Sequence, residues 1–432
     1  QGTLVVSNGG STTYNLSDVE SLAVDATGAA ADSLTVNTIG TYVNTPGQEA
    51  GSGTALVYLG PGLSNGTLPL NYRHFESVNF VATTAIITGS AGDDVIVVDR
   101  ASGVVTVNGN PTDYSGTQTI VINALGGDDR ITILAGAEFP GAGAGAAGIV
   151  VLGGDNGGGS DSVIVNGQTG NDAITVDLLA STVDDTISSP VSLTGIEHLT
   201  VNGNGTVGGD SISVTGLGSV SGLASVVLNG NSNAGDTMSV SGTSGPDLLN
   251  FNPTDATSGQ VTRTGTATTV NYAGLTGSFT VAGGAGGFDV LTVLGTEGAD
   301  SVTSTATTVT RDGTVTVGAG IDEIDINTLG GDDTITLAAL PEVSATVDLI
   351  VNAGNGNDAI NLTGMAATIG YILRGEGGND NILGGQAGGR LEGGDGNDTL
   401  DGNGGADQMF GGAGADLFVW DPGDGSDLIE GQ

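Results

Sequence analysis

The chain has 432 residues, of which 80 are Gly and only 4% are aromatic; this composition argues against a thick globular core and favours a thin β-solenoid. Its 48 acidic residues face 7 basic ones, and the net charge of −41 makes nucleic acid and anionic membrane surfaces unsuitable partners. Neither Lys nor Cys occurs, which excludes Schiff-base chemistry, disulfides and thiol catalysis. No apolar run approaches the roughly 20 residues that a membrane-spanning helix needs, so we expect no membrane insertion.

Residues 1–88 are expected to form a divergent or partial β-solenoid module. A phrase with Glu between apolar residues occurs there as Phe75-Glu-Ser-Val and returns later as Ile196-Glu-His-Leu, which indicates stacked, related units. The chain begins without Met, no signal peptide precedes Gln1, and the last residues follow directly on a repeat phrase. We therefore expect a processed or partial piece of a longer protein.

Residues 89–366 repeat a degenerate phrase that consists of a glycine turn, an Asp and an alternating apolar strand. Strands such as Ser211-Ile-Ser-Val alternate with period two and are rich in β-branched residues, which predicts one buried face and one solvated face. No helical periodicity of useful length is present, because Gly interrupts every candidate. We predict a mainly parallel β-solenoid. The aligned acids are Asp94, Asp129, Asp161, Asp172, Asp210, Asp236, Asp247, Asp289, Asp300, Asp333 and Asp358.

These upstream units have irregular lengths. The acids that open successive units, Asp94, Asp172, Asp247 and Asp300, are separated by 78, 75 and 53 residues, so each unit is expected to contain several strands. With uneven spacing the carboxylates need not stack, and the Asp residues can be read either as turn formers or as calcium ligands. The doubled acids Asp93-Asp94, Asp128-Asp129 and Asp332-Asp333 favour the calcium interpretation. The upstream candidates for calcium binding are Asp94, Asp129, Asp333 and Asp358.

A nine-residue phrase occurs five times without a gap between Gly375 and Val419, as GEGGNDNIL, GGQAGGRLE, GGDGNDTLD, GNGGADQMF and GGAGADLFV. This is the G-G-x-G-x-D-x-U-x signature of a parallel β-roll. The first residue is always Gly, which suits either a positive φ or a close approach to an ion. The eighth residue is always apolar, so we expect it to enter the core. The sixth residues are Asp380, Gly389, Asp398, Asp407 and Asp416.

The five copies resemble the repeats-in-toxin, or hemolysin-type calcium-binding, family. That resemblance implies that two nonapeptides form one 18-residue turn and that several Ca²⁺ ions sit between turns, held by Asp carboxylates and turn carbonyls. It extends over a calcium-binding β-roll at residues 367–432, which closes with a GDGxD phrase. The ligands and turn glycines that it implies are Asp380, Asp398, Asp407, Asp416, Asp427, Gly375, Gly393, Gly402 and Gly411.

The 18-residue spacing places Asp380, Asp398 and Asp416 on one edge of the roll, with Asp407 on the opposite edge. Stacked strands repeat at about 4.8 Å, and two carboxylates about 5 Å apart repel by roughly 3 kcal/mol at an effective dielectric near 20. We therefore expect the stack to open without a cation. The second copy departs from the pattern, because Gly389 stands where Asp is expected, and the calcium site beside it is in question.

Three function classes follow from these features. The repeats favour an extracellular calcium-stabilised scaffold, such as a surface-layer or filament subunit that associates end to end. An adhesin stalk that binds a cell-surface glycan or another matrix protein is the alternative. A carbohydrate-active enzyme is disfavoured because no site stands out and seven scattered Arg residues suit no polyanionic substrate. The family resemblance implies bacterial export, often by a one-step secretion system.

Overall fold

The computed structural model describes the strands within residues 2–81 and then residues 84–431, except for 116, 137–147, 155–159, 186–189, 205–208, 219–221, 232–234 and 341–348. None of the described residues lies in a helix. The all-β fold that the sequence predicts is therefore confirmed. No helix long and apolar enough to cross a membrane occurs in this part of the chain.

The described residues form 42 strands. The first fourteen are β1 (Gly2–Asn8), β2 (Ser11–Leu16), β3 (Leu22–Asp25), β4 (Asp32–Asn37), β5 (Thr41–Pro46), β6 (Gly53–Tyr58), β7 (Thr67–Arg73), β8 (Ser77–Val81), β9 (Thr84–Thr88), β10 (Val95–Asp99), β11 (Val104–Val107), β12 (Asn110–Asp113), β13 (Thr119–Asn123) and β14 (Arg130–Leu134). The next fourteen are β15 (Ile149–Leu152), β16 (Ser162–Asn166), β17 (Ala173–Asp177), β18 (Thr182–Asp184), β19 (Val191–Thr194), β20 (His198–Asn202), β21 (Ser211–Thr215), β22 (Ser225–Asn229), β23 (Thr237–Ser241), β24 (Leu248–Asp255), β25 (Ser258–Arg263), β26 (Thr269–Ala273), β27 (Phe279–Ala282) and β28 (Val290–Thr296). The last fourteen are β29 (Ser301–Ser304), β30 (Thr308–Arg311), β31 (Gly313–Val317), β32 (Glu323–Leu329), β33 (Thr334–Leu337), β34 (Leu349–Asn355), β35 (Ala359–Asn361), β36 (Tyr371–Gly377), β37 (Asn381–Leu383), β38 (Arg390–Asp395), β39 (Thr399–Asp401), β40 (Gln408–Ala413), β41 (Leu417–Val419) and β42 (Leu428–Glu430).

The chain divides into two compact units. The first consists of Gln1–Ile212 with Val220–Asn231, and the second of Ser213–Ser219 with Ser232–Gln432. The two units are defined by the contacts between their residues, whereas the three segments 1–88, 89–366 and 367–432 are defined by the type of sequence repeat. The three segments stay a prediction.

Each unit stacks parallel strands in two series. In the first unit, β10, β14, β16 and β20 pair in one series, and β9, β13, β15 and β19 pair in the other. In the second unit, β28, β32, β34, β36, β38, β40 and β42 form one series, and β29, β33, β35, β37, β39 and β41 form the other. From β32 onward each turn contributes one strand to each series, which is the β-solenoid that the sequence predicts.

Antiparallel excursions explain the uneven lengths of the upstream units. The strands that follow the four opening acids are β10, β17, β24 and β29. Each pairs with an antiparallel strand directly after it, namely β11, β18, β25 and β30. These hairpins, which the sequence did not predict, insert extra residues before the parallel stacking resumes.

The core is a narrow column between the two series. In β16, for example, Val163 and Val165 are buried while their neighbours are partly exposed, as the period-two pattern predicts. In four of the five nonapeptides the eighth residue is fully buried, namely Ile382, Leu391, Leu400 and Met409, whereas Phe418 of the last copy is partly exposed. Because each copy buries little more than one side chain, the apolar core alone offers few contacts per turn, and the turns themselves must be held together by polar groups.

Candidate metal centre

A row of aspartates follows the edge at which β33, β35, β37 and β39 begin. The main-chain N–H of one Asp donates to Oδ1 of the Asp one turn later, over 2.8 Å from Asp380 to Asp398 and over 3.1 Å from Asp398 to Asp416. These three residues therefore lie on one edge at successive turns, as their spacing predicts. We call this set the long aspartate row, and its members are Asp300, Asp333, Asp358, Asp380, Asp398 and Asp416.

A second row lies on the opposite edge, where β40 and β42 begin. The main-chain N–H of Asp407 donates to Oδ1 of Asp427 over 3.0 Å, and the N–H of Gly389 donates to Oδ1 of Asp407 over 2.7 Å. We call Asp407 and Asp427 the short aspartate row. Asp407 is thus separated from the long row, as the sequence predicts.

Both rows carry buried carboxylate oxygens without a hydrogen-bond donor. Burial is the largest influence on these groups and raises the pKa of Asp380 to about 7 and the pKa values of Asp358 and Asp407 to about 6. An ionised oxygen that is buried without a partner costs several kcal/mol of folding free energy, and a bound cation would offset this cost. In these two rows the unpaired atoms are Oδ2 of Asp333, Asp358, Asp380, Asp398, Asp407 and Asp427.

In four of the five copies the first glycine leaves room for the Oδ2 atom of the Asp at the sixth position. A β-carbon on Gly393 would lie within 3.0 Å of both Oδ2 of Asp398 and the main-chain oxygen of Gly411. Gly375, Gly402 and Gly411 are crowded by the Oδ2 atoms of their own copies in the same way. None of these four glycines has a positive φ, whereas Gly394 and Gly412, at the second position, have φ values of 113° and 95°. The close approach of these oxygen atoms, and not a positive φ, therefore explains why the first residue of these copies is Gly.

The oxygen atoms that converge at these turns match the ligand preferences of calcium. A carboxylate oxygen and a carbonyl oxygen from the next turn face the same small space, and Ca²⁺ takes 6–8 such oxygens in flexible geometry. Three or more His, Cys, Asp or Glu side chains do not converge at any point in the described residues. A site along either row would consequently combine one or two carboxylates with main-chain carbonyls.

Tyr371 fills the place of the missing carboxylate in the second copy. A β-carbon on Gly389 would overlap the Tyr371 ring, and one on Gly384 would lie 2.7 Å from its hydroxyl. That hydroxyl accepts the N–H of Gly385 over 2.9 Å and donates to Oδ1 of Asp407 over 3.2 Å. A phenol can donate a hydrogen bond where a carboxylate cannot, so this position is satisfied without a cation.

A second ladder runs outside the long row and accounts for the doubled acids. The N–H of Asn379 donates to Oδ1 of Asn357 over 2.9 Å, and the N–H of Asn397 donates to Oδ1 of Asn379 over 2.8 Å. The direction is opposite to that of the buried row. Asp332, the first acid of one doubled pair, occupies this exposed ladder, since its Oδ1 accepts the N–H of Asn357 over 2.8 Å. We call this set the outer ladder, with members Asp332, Asn357, Asn379, Asn397 and Ala415.

Asp94, an upstream candidate, is held differently. Its Oδ2 accepts the N–H of Ser90 over 2.6 Å and the Ser90 hydroxyl over 3.1 Å, while its Oδ1 accepts the side-chain amide of Asn108. Both carboxylate oxygens are therefore paired. Its assignment as a calcium ligand stays a prediction. Its two paired carboxylate oxygens are less suited to a cation than the unpaired oxygens of the two aspartate rows.

Asp129 keeps an unpaired oxygen. It is 1% exposed, its Oδ2 lacks a donor among the described residues, and burial raises its pKa to about 6. Its N–H donates to Oδ1 of Asp161, whose own N–H donates to Oε2 of Glu197 over 2.8 Å. Glu197 therefore ends a separate series that consists of Asp94, Asp129, Asp161 and Glu197. It belongs to the phrase Ile196-Glu-His-Leu, so that phrase could have identified it as a member of this series.

The repeat region matches a known family. Residues 387–418 fit the RTX calcium-binding nonapeptide repeat, in four copies, and repeats of this kind bind Ca²⁺. No curated protein matches the chain. The matched residues contain Asp398, Asp407 and Asp416, and thus members of both aspartate rows.

Proposed function

Because residues 387–418 are RTX calcium-binding nonapeptide repeats, we propose that this is an extracellular structural protein that calcium stabilises and that self-assembles end to end. RTX repeats are typical of secreted bacterial proteins. The main support for calcium stabilisation is the set of buried, unpaired Oδ2 atoms in the long and short aspartate rows. We propose a surface-layer or filament subunit, exported from a bacterium by a one-step secretion system.

In this proposal the repeat turns bind calcium through Asp380, Asp398, Asp416, Asp407 and Asp427. Each residue of these rows joins two turns, because its Oδ1 accepts a main-chain N–H from the preceding turn or its own N–H donates to the following one. Bound calcium would supply the positive charge that the unpaired Oδ2 atoms lack. Extracellular calcium sites work at dissociation constants of about 10⁻⁴ to 10⁻³ M, a range that suits secretion into a calcium-rich medium.

The stacked parallel strands support end-to-end association, because each turn of the solenoid already docks on the next through its strand edges. Head-to-tail contacts that do not close produce a filament. Since the net charge is −41, neutralisation by calcium should promote this contact.

A row of paired threonines favours the adhesin as a second candidate. In the hairpin of β29, β30 and β31, Thr303 pairs with Thr310, and Thr310 pairs with Thr314. The hydroxyls of Thr310 and Thr314 are 3.0 Å apart. Such an ordered row of hydroxyls could bind a glycan of a cell surface or another matrix protein, so a glycan array would separate this role from the scaffold.

The test is a calcium titration of chelator-treated protein, followed by far-UV circular dichroism and light scattering, with magnesium as the matched control. We expect β signal to rise with calcium, particles to lengthen afterwards, and magnesium to do neither at equal concentration. Folding without particle growth at high protein concentration would contradict the scaffold. The absence of any calcium response would contradict the ligand assignment itself.

A further inference from the structure

The turn between β27 and β28 contains a buried aspartate outside the matched repeats. Asp289 is 1% exposed. Its Oδ1 accepts the N–H of Asp247 over 2.9 Å, and its own N–H donates to Oδ2 of Asp322 over 3.0 Å. Its Oδ2 has no donor among the residues that the structure describes. Asp289 therefore has the same hydrogen-bonding arrangement as Asp380 and Asp398 in the nonapeptides.

The unpaired oxygen faces a carbonyl. A β-carbon on Gly283 would lie within 3.0 Å of both Oδ2 of Asp289 and the main-chain oxygen of Gly320. Two acceptor oxygens that converge without a donor between them repel each other, and burial strengthens that repulsion. In the nonapeptides, Gly393 marks the same convergence of an Asp Oδ2 and a carbonyl from the next turn. A cation between the two oxygens would convert the repulsion into attraction.

The preceding turn shows how this chain satisfies the same carboxylate without a metal. Oδ2 of Asp247 accepts the N–H of Thr243 over 2.6 Å, and Oδ1 of Asp247 pairs with the Arg263 guanidinium. The turn of Asp289 has Gly284 in place of Thr243, with a φ of 111°. Because Oδ2 of Asp289 has no donor, the N–H of Gly284 does not replace that of Thr243.

The charges around Asp289 are mainly negative. Burial raises its pKa, and the carboxylates of Asp247 and Asp322 raise it further, whereas Arg263 lowers it. Arg263 is already engaged, since its Nε pairs with Asp247 and its Nη2 donates to the main-chain oxygen of Pro246 over 3.3 Å. The site therefore combines a negative field with oxygen ligands, which is the chemistry of a calcium site.

We propose that the turn from Gly283 to Asp289 is a calcium site outside the nonapeptide array, with ligands from Oδ2 of Asp289, the carbonyl of Gly320 and the carboxylate of Asp322. The site lies in the second unit and does not depend on self-assembly. It extends calcium binding to a turn that lacks the nonapeptide phrase. The flexible mixture of carboxylate and carbonyl oxygens favours Ca²⁺ over Mg²⁺, which requires a tighter octahedron.

The first test counts calcium ions in the full chain by equilibrium dialysis. Asp289→Asn should bind one ion fewer than the wild type and should keep the ions of the nonapeptides. Asp247→Asn is the matched control: its carboxylate already has partners, so its stoichiometry should equal that of the wild type. Asp398→Asn reports separately on the repeats. An unchanged ion count in a folded Asp289→Asn protein would overturn this proposal, and the proposed function would stand if Asp398→Asn alone lost calcium.

A second test needs no variant, so it decides the question even if Asp289→Asn does not fold. In crystals of the calcium-loaded wild type, we expect density between Asp289 and Gly320 with oxygen distances of about 2.3–2.6 Å, the range of Ca²⁺. A water molecule or a side chain in that space would overturn the site. Calcium in the nonapeptides of the same crystals would show that the failure concerns Asp289 and not the proposed function.

Discussion

In the nonapeptide turns, buried carboxylates such as Asp398 keep an oxygen without a donor, whereas the turns of three opening acids, Asp94, Asp247 and Asp300, satisfy theirs internally. The fourth opening acid, Asp172, keeps an unpaired Oδ2 like the repeats. At Asp300, Oδ2 accepts the N–H of Thr296 over 2.7 Å, and Oδ1 lies 3.4 Å from the guanidinium of Arg311. Asp94 and Asp247 are held in the same way, by a Ser or Thr N–H and by a side chain from the following hairpin.

The difference between the two kinds of turn lies four residues before the aspartate. In the turns of Asp94, Asp247 and Asp300 this position is Ser or Thr, and its N–H donates to the carboxylate. In the turn of Asp172, whose Oδ2 is unpaired, it is Gln168. In the repeats it is Glu376, Gly394, Asn403 or Gly412, all with positive φ. The same aspartate thus keeps an unpaired oxygen in one context and not in the other. The residue at this position and the hydrogen-bond donor from the hairpin, more than the acid itself, distinguish the two kinds of turn.

Removal of calcium should produce the largest difference between these regions. In chelator, we expect the amides of residues 375–419 to exchange hydrogen rapidly, because their carboxylates then lose their counter-charge. The amides near Asp247 and Asp300 should stay protected, because Arg263 and Arg311 remain in place. Hydrogen exchange with mass spectrometry would measure both. Equal loss of protection in the two regions would contradict the comparison.

Arg311→Met should cause the next largest effect. Arg311 is 2% exposed and also donates to the main-chain oxygen of Pro253 over 2.7 Å. Its removal leaves the buried Asp300 uncompensated, which costs about 3–5 kcal/mol of unfolding free energy. The loss should be the same with and without calcium, as judged by denaturant unfolding. The control is Arg390→Met, whose side chain is 41% exposed, for which we expect a loss below about 1 kcal/mol.

A pH titration of the calcium-free protein should give a moderate effect of defined sign. The folded-state pKa values of Asp380, Asp358 and Asp407, about 7, 6 and 6, lie above the ordinary value of 3.8. The folded state therefore holds more protons, and the free energy of unfolding should fall as pH rises from about 4 to about 7. One group raised by about two pKa units contributes roughly 3 kcal/mol. Saturating calcium should abolish the decline, and a rise in stability over this range would contradict the prediction.

Tyr371→Phe should have the smallest effect. The variant keeps the ring over Gly389 but removes the hydroxyl that Gly385 and Asp407 share. An unmade buried hydrogen bond costs about 1–3 kcal/mol, and thermal unfolding in excess calcium would measure it. The matched control is Tyr272→Phe, which changes a buried Tyr outside the array. If Tyr371→Phe instead gained a calcium ion with no loss of stability, the second copy would be a metal site after all.

The sequence predicted the edge assignments because the 18-residue period is regular and every turn adds one strand to each series. It did not predict the antiparallel hairpins, since their strands have the same period-two pattern as the parallel ones. Arg311 was not identified because it lies 11 residues after its partner Asp300, and only the hairpin brings the two together. Tyr371 was missed for the same reason: it precedes the array and reaches Gly389 through the stacking of β36 on β38.

Nearly identical turns raise the question of what prevents a copy from pairing with the wrong neighbour. The hydrogen bonds of the long aspartate row and the outer ladder are the same at every step, so a shift by one turn would preserve them. Tyr371 breaks that equivalence. Its ring fits against Gly389 because even a β-carbon there would overlap it, and every other copy has Asp at this position. Because its ring fits only against the copy that has Gly389, Tyr371 gives a self-similar array a single correct alignment.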